Sequence, residues 1–135
     1  MSTSSISGLH HVAIRVADFD RAVEFYQQGL GFSVKGAWGE DSGRGALLDA
    51  GNGNYVEIFA GGADGERPQG VCEHIAFRCS DVDGTVKQAV AAGATVTVEP
   101  KEVTIPSEPT PIPVRLAFCR TPTGEIVEFF DNAVT

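Results

Sequence analysis

The sequence predicts an α+β fold made of two β-α-β-β-β modules, and two internal matches carry that prediction. The stretch HHVAIRVADFD, residues 10–20, returns as EHIAFRCSDVD, residues 73–83, which aligns His11 with His74, Arg15 with Arg78, Asp18 with Asp81 and Asp20 with Asp83. The closing strands match as well: GNYVEIF, residues 53–59, aligns with GEIVEFF, residues 124–130, and Glu57 with Glu128. The offset is longer for the second match, and a proline-rich insertion between the two matches accommodates the difference. A duplicated unit with one lengthened loop explains both.

Each element follows from its own pattern. In LHHVAIRV the β-branched residues alternate, so Val12, Ile14 and Val16 share one strand face and His11, Ala13 and Arg15 the other. Asp18 or Asp20 caps the helix that follows, RAVEFYQQGLGF, where Ala22, Val23, Phe25, Tyr26 and Leu30 recur at helical spacing. Gly29 and Gly31 end it. FSVKGAWG, GRGALLDAG and NYVEIFAG then read as three short strands separated by glycine-rich turns. The segment GGADGERPQG, residues 61–70, has little to bury and reads as an exposed connector between a module over about residues 8–60 and another over about 71–131. The second module restarts with the strand VCEHIAFRC, a helix GTVKQAVAAGA capped by Asp81 or Asp83, and the alternating strand TVTVEPKEV. Four prolines among residues 106–113 cannot sit in a central strand, so SEPTPIPV is expected as a loop or sheet edge. VRLAFCRT and EIVEFFDN close the chain.

Composition narrows the function. The 135 residues, 42% hydrophobic, suit a single domain with a working core. A net charge of −8 with ten scattered basic residues argues against a nucleic-acid partner. The apolar runs fall far short of the roughly 20 residues of a membrane span, and the opening MSTSSISG lacks the pattern of a signal peptide. A cytoplasmic location is therefore expected. Cys72, Cys79 and Cys119 are odd in number and lack CxxC spacing, which predicts buried free thiols.

Each module offers one histidine on its first strand and one glutamate on its last: His11 and Glu57, then His74 and Glu128. Imidazole nitrogen with carboxylate oxygen is a ligand mix for a divalent transition metal. Taken singly, such residues read as a core histidine or a solvent-facing glutamate; recurring at matching positions of a duplicated unit, they read as a metal set. In a six-coordinate ion they leave two positions for water or a substrate oxygen. Arg15 and Arg78 lie on the same strand faces as His11 and His74, where each either binds a substrate carboxylate or reaches solvent. GAWGEDSGRG and IPSEPTPIP are expected to shape the pocket entrance, with Trp38 as a lid, a wall or plain core.

Over roughly residues 8–131 the chain resembles the vicinal oxygen chelate superfamily: HVAIRVADFDRAVEFYQQGLGF and EHIAFRCSDVD look like its two opening units and RTPTGEIVEFFD like its closing strand. The resemblance implies paired modules forming a cupped mixed sheet around a divalent metal (Ni, Co, Zn, Mn or Fe). The ligands it implies are His11, Glu57, His74 and Glu128, a set similar to that of glyoxalase I. It also implies a homodimer, a small-molecule substrate, and lyase or isomerase chemistry in which Glu128 or Glu57 moves a proton beside a metal-held oxygen. Arg15 resembles the glyoxalase arginine that contacts glutathione, whereas Gly61 stands where that enzyme is expected to carry asparagine. Fosfomycin-type transferases use two histidines and one glutamate, which leaves no role for Glu57. Extradiol dioxygenases need further histidines, and only His10 remains, turned to the opposite face by strand alternation. The alternatives kept are a non-catalytic small-molecule binding or antibiotic-resistance protein of the same fold and a methylmalonyl-CoA epimerase-like enzyme.

Overall fold

The computed structural model describes residues 9–64 and 72–135. The opening MSTSSISG and residues 65–70 of the expected connector lie outside the described residues. The first module runs β1 (His11–Arg15), α1 (Phe19–Glu24), β2 (Ser33–Trp38), β3 (Gly45–Gly51) and β4 (Asn54–Phe59). The second repeats it as β5 (Ile75–Arg78), α2 (Val82–Ala91), β6 (Thr95–Ile105), β7 (Ile112–Arg120) and β8 (Ile126–Asp131). Each module forms its own four-stranded mixed sheet, ordered β1-β4-β3-β2 and β5-β8-β7-β6. In each, the first strand lies parallel to the last, and the remaining neighbours are antiparallel.

The choice of helix cap, open in the sequence, is made the same way in both modules. Asp18 accepts from the Arg21 backbone N–H at 3.1 Å and Asp81 from that of Gly84 at 3.0 Å. The aspartates two residues on sit in the first helical turn and bind arginines instead. Asp20 takes Arg44 at 2.8 and 3.2 Å, and Asp83 takes Arg115 at 2.7 and 2.8 Å. These two-point hydrogen bonds, with the arginine charge, hold both carboxyls below the usual aspartate range. Arg44 and Arg115 occupy nearly equivalent places at the start of the segments that pair with the ends of β4 and β8.

Helix α1 continues into a π-helical turn over Phe25–Gly29, so the first helical segment changes its pitch before ending. Gly29 sits where an added Cβ would lie 2.8 Å from the Ala92 Cβ, so the close approach of the two modules requires glycine there. Val16, Phe25, Tyr26 and Ile58 of the first module and Val86, Val127 and Phe129 of the second belong to one buried cluster. The helix-bearing faces of the two sheets thus share one core. Within it the fully buried Tyr26 hydroxyl donates to Glu125 Oε2 at 3.2 Å, and Thr121 Oγ1 donates to the same oxygen at 2.9 Å. Burial, followed by the Glu125 charge, pushes the Tyr26 phenol well above its ordinary range.

The proline-rich stretch forms a loop and a sheet edge, as its prolines predict, while β6 and β7 run further toward it than expected, and Pro113 lies within β7 opposite Thr104. β8 pairs with β7 only from Arg115 to Arg120, so Pro113 has a strand on one side alone and its missing N–H interrupts no central ladder. The expectation of buried free thiols needs correction: the three cysteines are free, but only Cys119 is buried, while Cys79 is half-buried and Cys72 exposed. Among the described residues, no helix is long and apolar enough to cross a membrane.

Candidate functional site

Alternation along β1 and β4 turns one side chain in two away from the core. Val56 and Ile58 are buried, whereas Tyr55, Glu57 and Phe59 face the open side of the first sheet, with His11 and Arg15 beside them on β1. The parallel register aligns Ala13 with Glu57, and this small neighbour leaves room for the His11 imidazole to lean over. His11 Nε2 comes within 3.5 Å of Glu57 Oε1.

The second sheet repeats the arrangement with tighter geometry. Ala76 aligns with Glu128, and His74 Nε2 lies 3.1 Å from Glu128 Oε1. The Phe118 ring meets the His74 ring edge-on at 5.2 Å. Phe118 also pairs with Glu128 across β7 and β8, where the matching residue of the first sheet is Leu47. The bulkier neighbour accompanies deeper burial: the Glu128 side chain is 8% exposed and that of Glu57 19%. Loss of solvent raises the Glu128 carboxyl above the ordinary glutamate value, outweighing the pull of His74 in the other direction.

The four residues proposed as ligands from the sequence are therefore brought together as two pairs. Among the described residues, no group of three or more histidine, cysteine, aspartate or glutamate side chains is placed to hold a metal ion. The shared helical core explains the separation, since packing the helix-bearing faces together turns both open faces outward.

The other expected residues fall around these pairs. Arg15 lies over the Phe59 ring, 5.2 Å from its centroid, and donates through Nη1 to the Ala60 carbonyl at 2.8 Å. Trp38 packs edge-on against Phe59, with ring centroids 6.3 Å apart, and is 43% exposed, so it is a wall residue and not core. It crosses Gly45, where an added Cβ would lie 2.5 Å from the indole. Gly61, with φ +83, adjoins the Arg15 guanidinium at the end of this row. Arg78 is placed differently: its Nη1 donates to the Thr135 main-chain oxygen. His10 departs from the expectation of opposite faces. The strand begins at His11, so alternation does not bind the residue before it, and His10 Nδ1 lies 3.0 Å from His11 Nδ1.

Sequence reasoning missed the rings that frame the histidines, Tyr55 and Phe118, and the paired Asp20–Arg44 and Asp83–Arg115 bridges. The aspartates of the bridges had a legible signal, because they align between the two copies. Tyr55 and Phe118 had none, since Ile126 and Leu47 stand at their matching places.

Duplicated modules, each with a histidine–glutamate pair on the open face of a mixed sheet, define a class of protein. The chain belongs to the Glyoxalase/Bleomycin resistance protein/Dioxygenase superfamily, whose family model matches residues 8–129. A probable lactoylglutathione lyase of Vibrio cholerae is 32% identical over 129 residues, covering 90% of this chain and 88% of the relative. Two solved structures share the fold. The fosfomycin resistance protein FosX of Listeria monocytogenes, as a point mutant complexed with Mn(II) and 1S,2S-dihydroxypropylphosphonic acid, is 19% identical with a TM-score of 0.70, covering 96% of this chain and 93% of that one. A glyoxalase I mutant of Zea mays is 21% identical with a TM-score of 0.70, covering 90% of this chain and 44% of that chain.

Proposed function

We propose that the chain is a metal-dependent lyase or isomerase of glyoxalase type, and that its site is completed when two copies associate. The observation that carries this reading is the repeated pair: an imidazole Nε2 within 3.5 Å of a carboxylate oxygen in one sheet and within 3.1 Å in the other. Each pair is half of a four-ligand set, and its nitrogen and oxygen donors fit a divalent ion such as Ni, Co, Zn, Mn or Fe. His11 and Glu57 of one copy and His74 and Glu128 of the other would hold that ion. A symmetric dimer joined in this way contains two such sites. When bound, the ion supplies Lewis-acid polarisation of a substrate oxygen.

The remaining chemistry falls to the side chains. Glu128 suits the role of base, because a buried carboxylate with a raised pKa holds a proton more firmly than an exposed one. It takes the proton from the carbon beside the substrate's oxygen and returns it to the neighbouring carbon, and Glu57 is the second candidate for this task. Arg15, fixed by Ala60 and resting on Phe59, presents a cation for a substrate carboxylate at the edge of the first sheet, and Trp38 walls that edge. Arg78, engaged by Thr135, is the less available of the two arginines. The substrate class is a small oxygenated metabolite, a reading supported by the lactoylglutathione lyase relative.

Metal content and solvent exchange test this. Purified protein offered each of the five metals is expected to bind one ion per chain, and His74→Ala to lose most of it. A substrate accepted by the enzyme should exchange its C–H with deuterated water in a manner that Glu128→Gln abolishes. Absence of metal uptake by the wild type refutes the reading. Metal uptake with no exchange for any bound compound favours a non-catalytic binding protein of the same fold.

A further inference from the structure

We infer that His10 is a positioning residue for metal capture, holding the imidazole of His11 with its Nε2 turned to the ion; this rests on the reading that His11 and Glu57 hold a divalent metal. The geometry is specific. His10 Nδ1 lies 3.0 Å from His11 Nδ1, while His11 Nε2 faces Glu57. The His10 ring is itself fixed, stacked on Tyr55 at 5.0 Å with an interplanar angle of 26°, and its carbonyl accepts from the Tyr55 N–H at 3.0 Å. The rings of His10 and His11 meet edge-on at 89°.

A neutral imidazole carries one N–H and one lone pair. Once Nε2 gives its lone pair to a cation, the His11 proton must sit on Nδ1, and it needs an acceptor. An acceptor on the distal nitrogen fixes ring orientation and makes the ligand nitrogen more basic. His10 Nδ1 is that acceptor. Without a cation the direction of this contact depends on the tautomer, and an imidazole, which can donate or accept at Nδ1, serves either direction.

In the second half-site a carboxylate stands in the place of the His10 imidazole. The residue aligned with His10 is Glu73, and the His74 ring is met by Phe118. The inference therefore concerns His11 alone.

Two substitutions separate the acceptor from the ring. His10→Phe keeps a ring to stack on Tyr55 and removes both nitrogens. His10→Asn loses the stack but places an amide, which both donates and accepts, near the position of Nδ1. His10 is exposed and precedes β1, so neither change removes core packing. Zn(II) titration is expected to show binding weakened about 10–100-fold by His10→Phe and by no more than a few-fold by His10→Asn. In Zn(II)-loaded wild-type protein, long-range proton–nitrogen correlation should find the His11 proton on Nδ1 and slow to exchange; in His10→Phe that proton should exchange rapidly. Equal Zn(II) affinity in wild type and His10→Phe, or equal losses in both variants, overturns the inference and leaves the metal reading intact. A wild type that takes up no Zn(II), Ni(II) or Co(II) overturns both.

Discussion

Mixing two inactive variants tests the divided site most directly. In a symmetric dimer each site would draw His11 and Glu57 from one chain and His74 and Glu128 from its partner. His11→Ala therefore damages both sites of its own homodimer, and His74→Ala does the same. In a mixed dimer both lesions fall in one site, and the other keeps all four ligands. Random exchange of subunits makes about half the dimers mixed, each with one of its two sites intact, so about one quarter of the wild-type sites should return. Each variant alone should lose more affinity than the roughly 10–100-fold that removal of an outer supporting group costs. The assay is metal bound per chain after subunit exchange, measured at an ion concentration that saturates only intact sites. A mixture that binds no more metal than the two variants apart would refute assembly between chains. So would a monomeric wild type with a full complement of metal.

Other consequences concern the packing. Tyr26→Phe removes a hydrogen bond from a buried carboxyl group that spans the modules, and should cost about 1.5–3 kcal/mol in urea unfolding; an unchanged midpoint would show the bond to be dispensable. Gly45→Ala places a methyl group 2.5 Å from the indole of the single tryptophan, so Trp38 must leave Phe59 and its fluorescence emission should shift to the red. Asp20 and Asp83 are held below the usual range by Arg44 and Arg115, so the unfolded chain takes up protons first as pH falls. Their contribution is complete above about pH 3.9 and is lost as pH falls through the lowered values in the fold. An Asp20→Asn, Asp83→Asn double variant should therefore lose less stability than wild type across that acidic window, as read from urea midpoints at successive pH values.

The fold was legible because duplication writes each element twice. A weak alternating run such as HHVAIRV gains weight when EHIAFRC repeats it, and two glutamates on closing strands stand out because both fall in the same place. Choices that depend on which residues become neighbours in space were not legible. Either aspartate of the DFD and DVD stretches satisfies a capping rule, and the three-dimensional positions of Arg44 and Arg115 decide that Asp20 and Asp83 are occupied elsewhere. His10 was misplaced for a related reason. Alternation governs residues inside a ladder, and the ladder begins one residue later.

By itself the sequence determined that there are two modules and that each carries a histidine on its first strand and a glutamate on its last. Those facts are local: they depend on a period of two along a strand and on the repetition of each element; that the first strand lies beside the last was decided by the strand order of the folded sheet. Only the tertiary structure decided that the four residues form two separate pairs. That outcome depends on which faces pack together, through the close approach of Gly29 to Ala92 and the buried contact of Tyr26 with Glu125. Burial is likewise a property of the assembled sheet. Glu57 and Glu128 have nearly identical sequence surroundings, yet Phe118 stands beside one and Leu47 beside the other, and the Glu128 carboxyl is pushed upward by loss of solvent.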